Sequence, residues 1–329
     1  MKNIWKIITL SLLPVLLVSG CKNEQTEHKE GNIQIKRFEQ VLFETPESQL
    51  YVKLDEFAKE YRSPLLNIIA SDPQFMQEIF GFINDTTVRS VYNITNRKYG
   101  NLFWLENELT EALKKAHKAN DEIDITNFAT FISVFFDYEQ RILVDRDSKS
   151  LLISIDQYAL PEMERFSYFN LPMFIVSLSD SIYLASDIMA EIARHYISIG
   201  EVKNFTMLDY MIMEGKVLYF LDEVMPDKAD FLKIRYTPEQ LEWCNKNEAM
   251  IWAYFIQHNL LYEKDMNRYH NFMDEAPKTN AFKDSAPRTT QFIGWHIVRS
   301  YMKNNKVTMK ELFANTDSQS ILQASQYKP

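Results

Sequence analysis

The chain has 329 residues, of which 46% are hydrophobic and 25% charged, a composition typical of a globular protein with a sizeable core. Its net charge of −9 excludes nucleic-acid binding through a broad basic surface. Only seven residues are glycine. Because tight hairpins and phosphate-binding loops both need glycine, this scarcity favours a mainly helical fold.

The N-terminus has the pattern of a bacterial lipoprotein signal. Two lysines precede an apolar run from Ile7 to Val18, which is shorter than the roughly 20 residues that a membrane-spanning helix needs. The run leads into Val-Ser-Gly-Cys, which ends at Cys21 and resembles a lipobox. We therefore predict a signal peptide at 1–20, lipid attachment at Cys21 and a polar tether at 21–32.

Lipidation at Cys21 predicts a cell-envelope protein anchored to a membrane that faces the periplasm, either the inner or the outer one. Several acyl chains on one residue suffice for stable anchoring. The only other cysteine is Cys244, so the mature chain cannot form an intramolecular disulfide. We interpret Cys244 as a small buried hydrophobic residue.

Residues 33–329 are predicted to form a single mainly helical α+β domain, because no proline- or glycine-rich linker divides them. Apolar residues alternate from residue 34 and predict a short strand there. Helical periodicity predicts helices at 50–61, 72–82, 85–94, 102–119, 172–183, 187–199, 205–223, 238–259, 263–273 and 289–304, and a short one from 317.

A small sheet is predicted around residues 128–156. Residues 128–136 are rich in β-branched and aromatic side chains, and two short apolar runs follow at 141–144 and 151–155. A polar turn separates these runs, and the pattern fits a sheet of two to four strands.

Two consecutive predicted helices between residues 187 and 222 carry the candidate site. The first holds Glu191 and His195 one turn apart, hence on one face. The second holds Glu214 within a strongly apolar surface. A carboxylate and a histidine on one helix, with a carboxylate on the next, resemble the helix pair of gluzincin peptidases.

In those peptidases, zinc is held by two histidines in H-E-x-x-H and by a glutamate from the following helix. The glutamate beside the first histidine is the general base. If Glu191 is that base, the two histidine positions fall on Ala190 and Arg194, and His195 is turned about 100° away from the metal. This register lacks both histidine ligands.

A second register takes Glu191 and His195 as the helix ligands, with Glu214 completing a possible zinc set. The base position then falls on Ile192, which cannot accept a proton, so this register predicts metal binding without hydrolysis. A third interpretation needs no metal: Glu191 and His195 form a hydrogen-bonded pair. A buried Glu214 needs a partner in any case, and Arg194 or His195 could provide it.

The lipobox and several later segments resemble the family of gliding motility-associated lipoproteins GldB of Bacteroidetes. The segments lie at 153–158 (ISIDQY), 191–197 (EIARHYI), 214–222 (EGKVLYFLD), 236–244 (YTPEQLEWC), 252–255 (WAYF) and 294–302 (GWHIVRSYM). The similarity spans most of the mature chain. Family members are distantly similar to predicted H-E-x-x-H zinc peptidases, which accounts for the altered motif.

The resemblance implies an envelope lipoprotein required for gliding, in a system tied to the type IX secretion machinery. We predict a non-enzymatic scaffold or assembly component without a cofactor, whose partners are proteins of that machinery and the membrane. Two alternatives stay open. One is a metal-binding or metallopeptidase-like envelope protein that uses Glu191, His195 and Glu214 with zinc. The other is a periplasmic chaperone for secreted adhesins.

Overall fold

The structure is a computed structural model that describes residues 31–66, 71–134, 141–163 and 171–329. The predicted signal peptide, the predicted lipidation site Cys21 and most of the predicted tether lie outside the described residues. No helix within the described ranges is long and apolar enough to cross a membrane.

Most of the described residues lie in helices, and one small sheet accompanies them, which confirms the predicted mainly helical α+β fold. The strands are β1 Ile35–Arg37, β2 Asn127–Phe131, β3 Ile142–Asp145 and β4 Ser150–Ser154. The helices are α1 Phe38–Glu44, α2 Glu47–Tyr61, α3 Pro73–Asn84, α4 Thr86–Lys98, α5 Phe103–Ala119, α6 Leu160–Met163, α7 Met173–Ser177, α8 Ser181–Tyr196, α9 Met207–Val224, α10 Asp230–Lys233, α11 Pro238–Gln257, α12 Thr289–Asn304, α13 Met309–Ala314 and α14 Ser318–Ser325. Short 3₁₀ turns lie at Ile155–Tyr158, Val202–Asn204, Met266–Arg268 and His270–Phe272.

The sheet has the strand order β1-β2-β4-β3, with β1, β2 and β4 parallel and β3 antiparallel to β4. Phe128 on β2 pairs with Ile35 on one side and with Leu151 on the other. The β-structure predicted around 128–156 is therefore present. The predicted strand near residue 34 is also present, but it ends at Arg37, where α1 begins.

Side chains of β4 alternate between two hydrophobic cores. Leu151 and Ile153 belong to the larger core, which includes residues of α5, α8, α9 and α12. Leu152 belongs to the smaller core, which includes residues of α1, α2 and α3. Because neighbouring residues of a strand point to opposite faces, the sheet is covered on both sides. The larger core joins the sheet to the α8–α9 pair.

The predicted helix pair is present, but α8 begins earlier than the sequence pattern indicates. The predicted helix at 172–183 is wrong, because α7 ends at Ser177 and Asp180 then caps α8. The Asp180 carboxylate accepts a hydrogen bond from the backbone N–H of Ile182 at 3.1 Å. An aspartate in this position satisfies a backbone donor that the first turn of a helix leaves free. The helix boundary therefore falls at this cap.

The predicted helix at 263–273 is also wrong, since the chain forms two 3₁₀ turns there. The Asp265 carboxylate accepts a hydrogen bond from the backbone N–H of Asn267 at 3.1 Å. Such bonds between a side chain and nearby backbone compete with the helical pattern. The short helices α1, α6, α10 and α13 were not predicted.

Helices α9 and α12 contact each other through their backbones at two glycines. A Cβ atom added to Gly294 would lie 1.8 Å from the carbonyl oxygen of Met211. One added to Gly215 would lie 2.3 Å from the carbonyl oxygen of Gly294. Both distances are far below van der Waals contact, so the helices can approach this closely only with glycine at both positions.

We expect Gly294→Ala to lower the free energy of unfolding by about 3 kcal/mol or more, because the added methyl meets backbone atoms that cannot turn away. Denaturant unfolding of the purified protein measures the loss. Gly81→Ala is a matched control, since Gly81 lies in α3 with no atom near its Cβ position. It should stabilise the protein by about 0.5–1 kcal/mol. Equal unfolding midpoints for Gly294→Ala and the parent chain would contradict this account of the contact between α9 and α12.

Candidate functional site

A cavity of about 690 Å³ lies beside the α8–α9 pair. This volume is within the range of roughly 300–1,000 Å³ that small-molecule sites occupy. Residues of α8, α9, the end of α10 and the first turn of α12 contribute to the wall. The basic side chains in the wall are Arg141, Arg194, Lys233, Arg235 and Arg288, and the acidic ones are Asp187, Glu191, Glu214, Asp274 and Glu275. The cavity is therefore strongly charged, with both signs present.

Two of the three predicted site residues lie at this cavity. Glu191 on α8 and Glu214 on α9 both line it, whereas His195 does not. The Nδ1 atom of His195 lies 3.0 Å from the backbone oxygen of Glu191 and 3.4 Å from its carboxylate. His195 and Glu191 are thus neighbours on α8, but His195 and Glu214 do not meet at the cavity.

Arg194 joins the two carboxylates. Its Nε and Nη2 atoms donate to the two oxygens of Glu214 at 3.0 and 2.9 Å. Its Nη1 atom donates to Glu191 at 3.2 Å. Glu214 is only 5% exposed, so this two-bond contact neutralises a carboxylate that would otherwise be costly to bury. The sequence left Arg194 and His195 as possible partners of Glu214. The structure shows that the partner is Arg194.

The arrangement matches the register of H-E-x-x-H in which Glu191 is the central glutamate. Ala190, Glu191, Arg194 and Glu214 all line the cavity, and the two histidine positions of that register are Ala190 and Arg194. Neither is a zinc ligand, and the Arg194 guanidinium carries the positive charge between the two carboxylates. These residues do not fit zinc. No group of three or more His, Cys, Asp or Glu side chains in the described part of the chain is placed to hold a metal.

Three further arginines line the cavity, and all are buried. Arg141, Arg235 and Arg288 are 8%, 9% and 5% exposed. Arg235 donates to the Asp187 carboxylate at 2.8 Å, and the Tyr158 hydroxyl donates to the same oxygen at 2.9 Å. Arg141 lies 4.0 Å from that oxygen. One largely covered carboxylate, that of Asp187, thus lies close to several donors from distant parts of the chain.

Arg235 and Arg288 both have left-handed backbone conformations, with φ of 58° and 48°. This region costs a non-glycine residue about 1–2 kcal/mol. Arg288 is the N-cap residue of α12, and its side chain makes no capping hydrogen bond. Burial is the largest influence on Arg235 and, despite the nearby Asp187 carboxylate, lowers its pKa to about 10. Two strained, buried arginines therefore lie at one cavity.

Sequence reasoning missed these arginines because no local spacing connects them. One signal was present at Arg288, which directly precedes a well-patterned helix. Serine, threonine, aspartate or asparagine is preferred at that position. An arginine there indicates that its side chain has contacts elsewhere.

Comparison with known families adds the decisive observation. A family model described as gliding motility protein GldB matches residues 20–329, nearly the whole chain. The chain belongs to the GldB family. No curated protein and no solved structure matches it.

Membership in the GldB family confirms the resemblance seen in the sequence segments and gives the chain a place among gliding motility lipoproteins. The cavity and its charged groups are features of this member's own structure. The match covers α8, α9 and α12, so the candidate site lies within the GldB region.

We expect Arg194→Ala to destabilise the protein, because it leaves Glu214 buried without its partner. Breaking a buried ion pair costs about 3–5 kcal/mol. The Arg194 side chain is 38% exposed, so solvent screening reduces the expected loss to about 2–3 kcal/mol. Denaturant unfolding measures it.

Two controls accompany this variant. Adding Glu214→Gln to Arg194→Ala should recover most of the loss, since glutamine leaves no buried charge. Glu191→Gln should cost less than about 1 kcal/mol, because Glu191 is partly exposed and makes the weaker contact. If Arg194→Ala unfolded at the same denaturant concentration as the parent chain, the pair would not contribute to joining α8 and α9.

Proposed function

We propose that the chain is a non-catalytic, lipid-anchored component of the gliding machinery that holds protein partners at the cell envelope. The family match supports the gliding role. The lipobox that ends at Cys21 supports the anchor. In this proposal the partners belong to the gliding and type IX secretion machinery, and the folded domain serves as a scaffold or assembly component.

The observation that carries the non-catalytic part is the contact of Arg194 with Glu191 and Glu214. A general base must reach the proton that it removes, and in metallopeptidases that proton belongs to a metal-bound water. Here Glu191 is paired with a guanidinium, and Ala190 and Arg194 stand at the two histidine positions. Helices α8 and α9 thus resemble the helix pair of gluzincin peptidases, but they lack the groups that hydrolysis needs.

A metal-binding function is the second candidate, because Glu191 and Glu214 do share the cavity. Metal analysis of the chain purified after mild chelation distinguishes the two. Our proposal expects well under one equivalent of zinc per chain. A stoichiometric metal that is lost on Glu214→Gln would favour the second candidate.

We expect Cys21→Ala to release the protein from membranes, because the sulfur that would carry the lipid is gone. Fractionation after a carbonate wash, followed by immunodetection, measures this. Cys244→Ala is the matched control, since Cys244 is buried in the folded domain and its loss should leave the protein in the membrane fraction. Retention of Cys21→Ala in washed membranes would refute the anchor.

Deletion of the gene should abolish colony spreading, and the Glu191→Gln chain should restore it as fully as the parent chain. The reason is that this substitution removes the carboxylate at the base position of the H-E-x-x-H register while it changes the fold little. Colony spreading on agar and immunoblotting for protein level are the two readouts. Loss of spreading at a normal protein level would argue for an enzymatic role.

A further inference from the structure

We propose that a second, much smaller cavity beside Lys216 is a binding site for a monoatomic anion such as chloride. This cavity has a volume of about 20 Å³ and is lined by residues of α9, of the segment after α8 and of the start of α14. A buried ammonium group with no acidic partner among the described residues lies at its wall. The site goes beyond the proposed role at the envelope, and neither proposal depends on the other.

Lys216 carries a charge that no described carboxylate balances. The residue lies on α9, is 3% exposed and forms no ion pair with a described residue. Burial lowers the pKa of its ammonium group to about 8, and no charged neighbour adds to this effect or offsets it. The group is therefore still mostly charged at neutral pH. Because a buried charge without a counter-charge is costly, an anion beside Lys216 would stabilise the fold.

Lys233 shows how the same fold neutralises another buried lysine. It is 6% exposed, and its Nζ atom lies 2.9 Å from Asp222 and 3.4 Å from Asp230. Lys216 is buried more deeply, yet its Nζ atom donates to a backbone group, the carbonyl oxygen of Asn315, at 2.5 Å. A carbonyl oxygen accepts a hydrogen bond but carries no full negative charge. Lys216 therefore lacks the counter-charge that Lys233 has.

The bond to Asn315 places the ammonium group at the cavity. Thr316 directly follows Asn315, and both Thr316 and Ser318 line the cavity together with Lys216. Because Nζ is bonded to the Asn315 carbonyl, it lies beside the wall that Thr316 and Ser318 form. An ammonium group has three N–H donors, and the described residues provide an acceptor for one of them. The other two donors remain for a ligand.

Three hydroxyl-bearing residues, Ser198, Thr316 and Ser318, form the uncharged polar part of the wall. Their hydroxyl groups make no hydrogen bond with another described residue, and a hydroxyl can donate to an anion. Ser318 is also the first residue of α14, and the N-terminal end of a helix carries a partial positive charge. The hydroxyl groups and the helix end therefore add to the preference of Lys216 for a negative ion.

Two carboxylates near the cavity are bonded to helix caps instead of Lys216. Asp209 lines the cavity, but its carboxylate accepts from the backbone N–H and the hydroxyl of Thr206 at 2.8 and 2.6 Å. Asp209 lies seven residues before Lys216 on α9, which is about 10 Å along the helix axis. The Asp317 carboxylate accepts from the Ser320 N–H at 2.9 Å and is not part of the cavity wall.

The size of the cavity favours a single small ion. A volume of about 20 Å³ exceeds the roughly 10–15 Å³ that one water molecule needs, whereas a tetrahedral oxyanion has five heavy atoms. Ile199, Ile212 and Met213 complete the wall with apolar side chains, which offer no donors to a larger anion. We therefore expect chloride to be preferred over sulfate.

The test uses the full chain purified in detergent and two probes, sodium chloride and sodium sulfate, at an ionic strength held constant with sodium gluconate. The readouts are thermal unfolding and the linewidth of the chloride nuclear magnetic resonance signal. We expect chloride to raise the unfolding temperature saturably, by about 2 °C or more. Sulfate should give no saturable effect, although it is the stronger general stabiliser of folded proteins.

Lys216→Met should abolish the chloride effect, because it removes the ammonium group. The variant should still fold, since replacement of a buried charge by an apolar side chain of similar size is often neutral or stabilising. Lys203→Met is the control. The Lys203 side chain is 77% exposed and contacts Glu201, so the chloride effect should persist in this variant.

If Lys216→Met does not fold, Ser318→Ala replaces it. This substitution removes one hydroxyl donor from the wall without changing the charge. We expect it to weaken chloride binding about fivefold or more.

Two results would overturn the site. One is that chloride and sulfate shift unfolding alike, which would leave water as the occupant of the cavity. The other is that a folded Lys216→Met or Ser318→Ala chain responds to chloride as the parent chain does. The Cys21→Ala and colony-spreading experiments do not depend on chloride binding, so the failure of one proposal is separable from that of the other.

Discussion

The backbones of α9 and α12 touch at Gly215 and Gly294, and the shape of the cavity depends on this contact. No side chain separates the two helices there, because any Cβ would collide with a carbonyl group. Glu214 lies next to the contact on α9, and Gln291 lies one turn before it on α12. Both line the cavity. The crossing therefore fixes the spacing of two cavity walls, and with it the position of the first turn of α12.

A charged contact near the C-terminal end of α9 also holds α9 and α12 together. Asp222 accepts hydrogen bonds from the Trp295 ring and the Arg299 guanidinium of α12, at 2.9 and 2.7 Å. Lys233 of α10 donates to it as well, at 2.9 Å. Burial alone would raise the pKa of the Asp222 carboxyl, but the bonds from Arg299 and Lys233 outweigh burial and lower it. The ionised carboxylate thus joins three helices, and its contribution to stability is lost as the pH falls through its lowered pKa.

The sequence predicted those features that depend on neighbouring residues and missed those that depend on packing. The α9 helix and its buried Glu214 were predictable because helical periodicity is local. The sequence did not predict which register of the H-E-x-x-H motif faces the cavity. Only the structure shows that Arg194, and not His195, contacts Glu214. The break at Asp180 was missed because a single side chain bonded to nearby backbone decided it. The arginine cluster had no local pattern at all, because its members come from widely separated segments.

The left-handed backbone conformations of Arg235 and Arg288 bear on the function of the cavity. Glycine would adopt the backbone conformation of Arg235 or Arg288 without strain, and it would also avoid burying a guanidinium. A scaffold that only presents its outer surface needs neither feature. Arg288 does have a structural task, since its Nη2 atom binds two backbone carbonyls. That task leaves its Nε donor unused within the described structure. The two carbonyl contacts of Arg288 account for its burial, whereas a relic of hydrolysis accounts for neither the burial nor the strain.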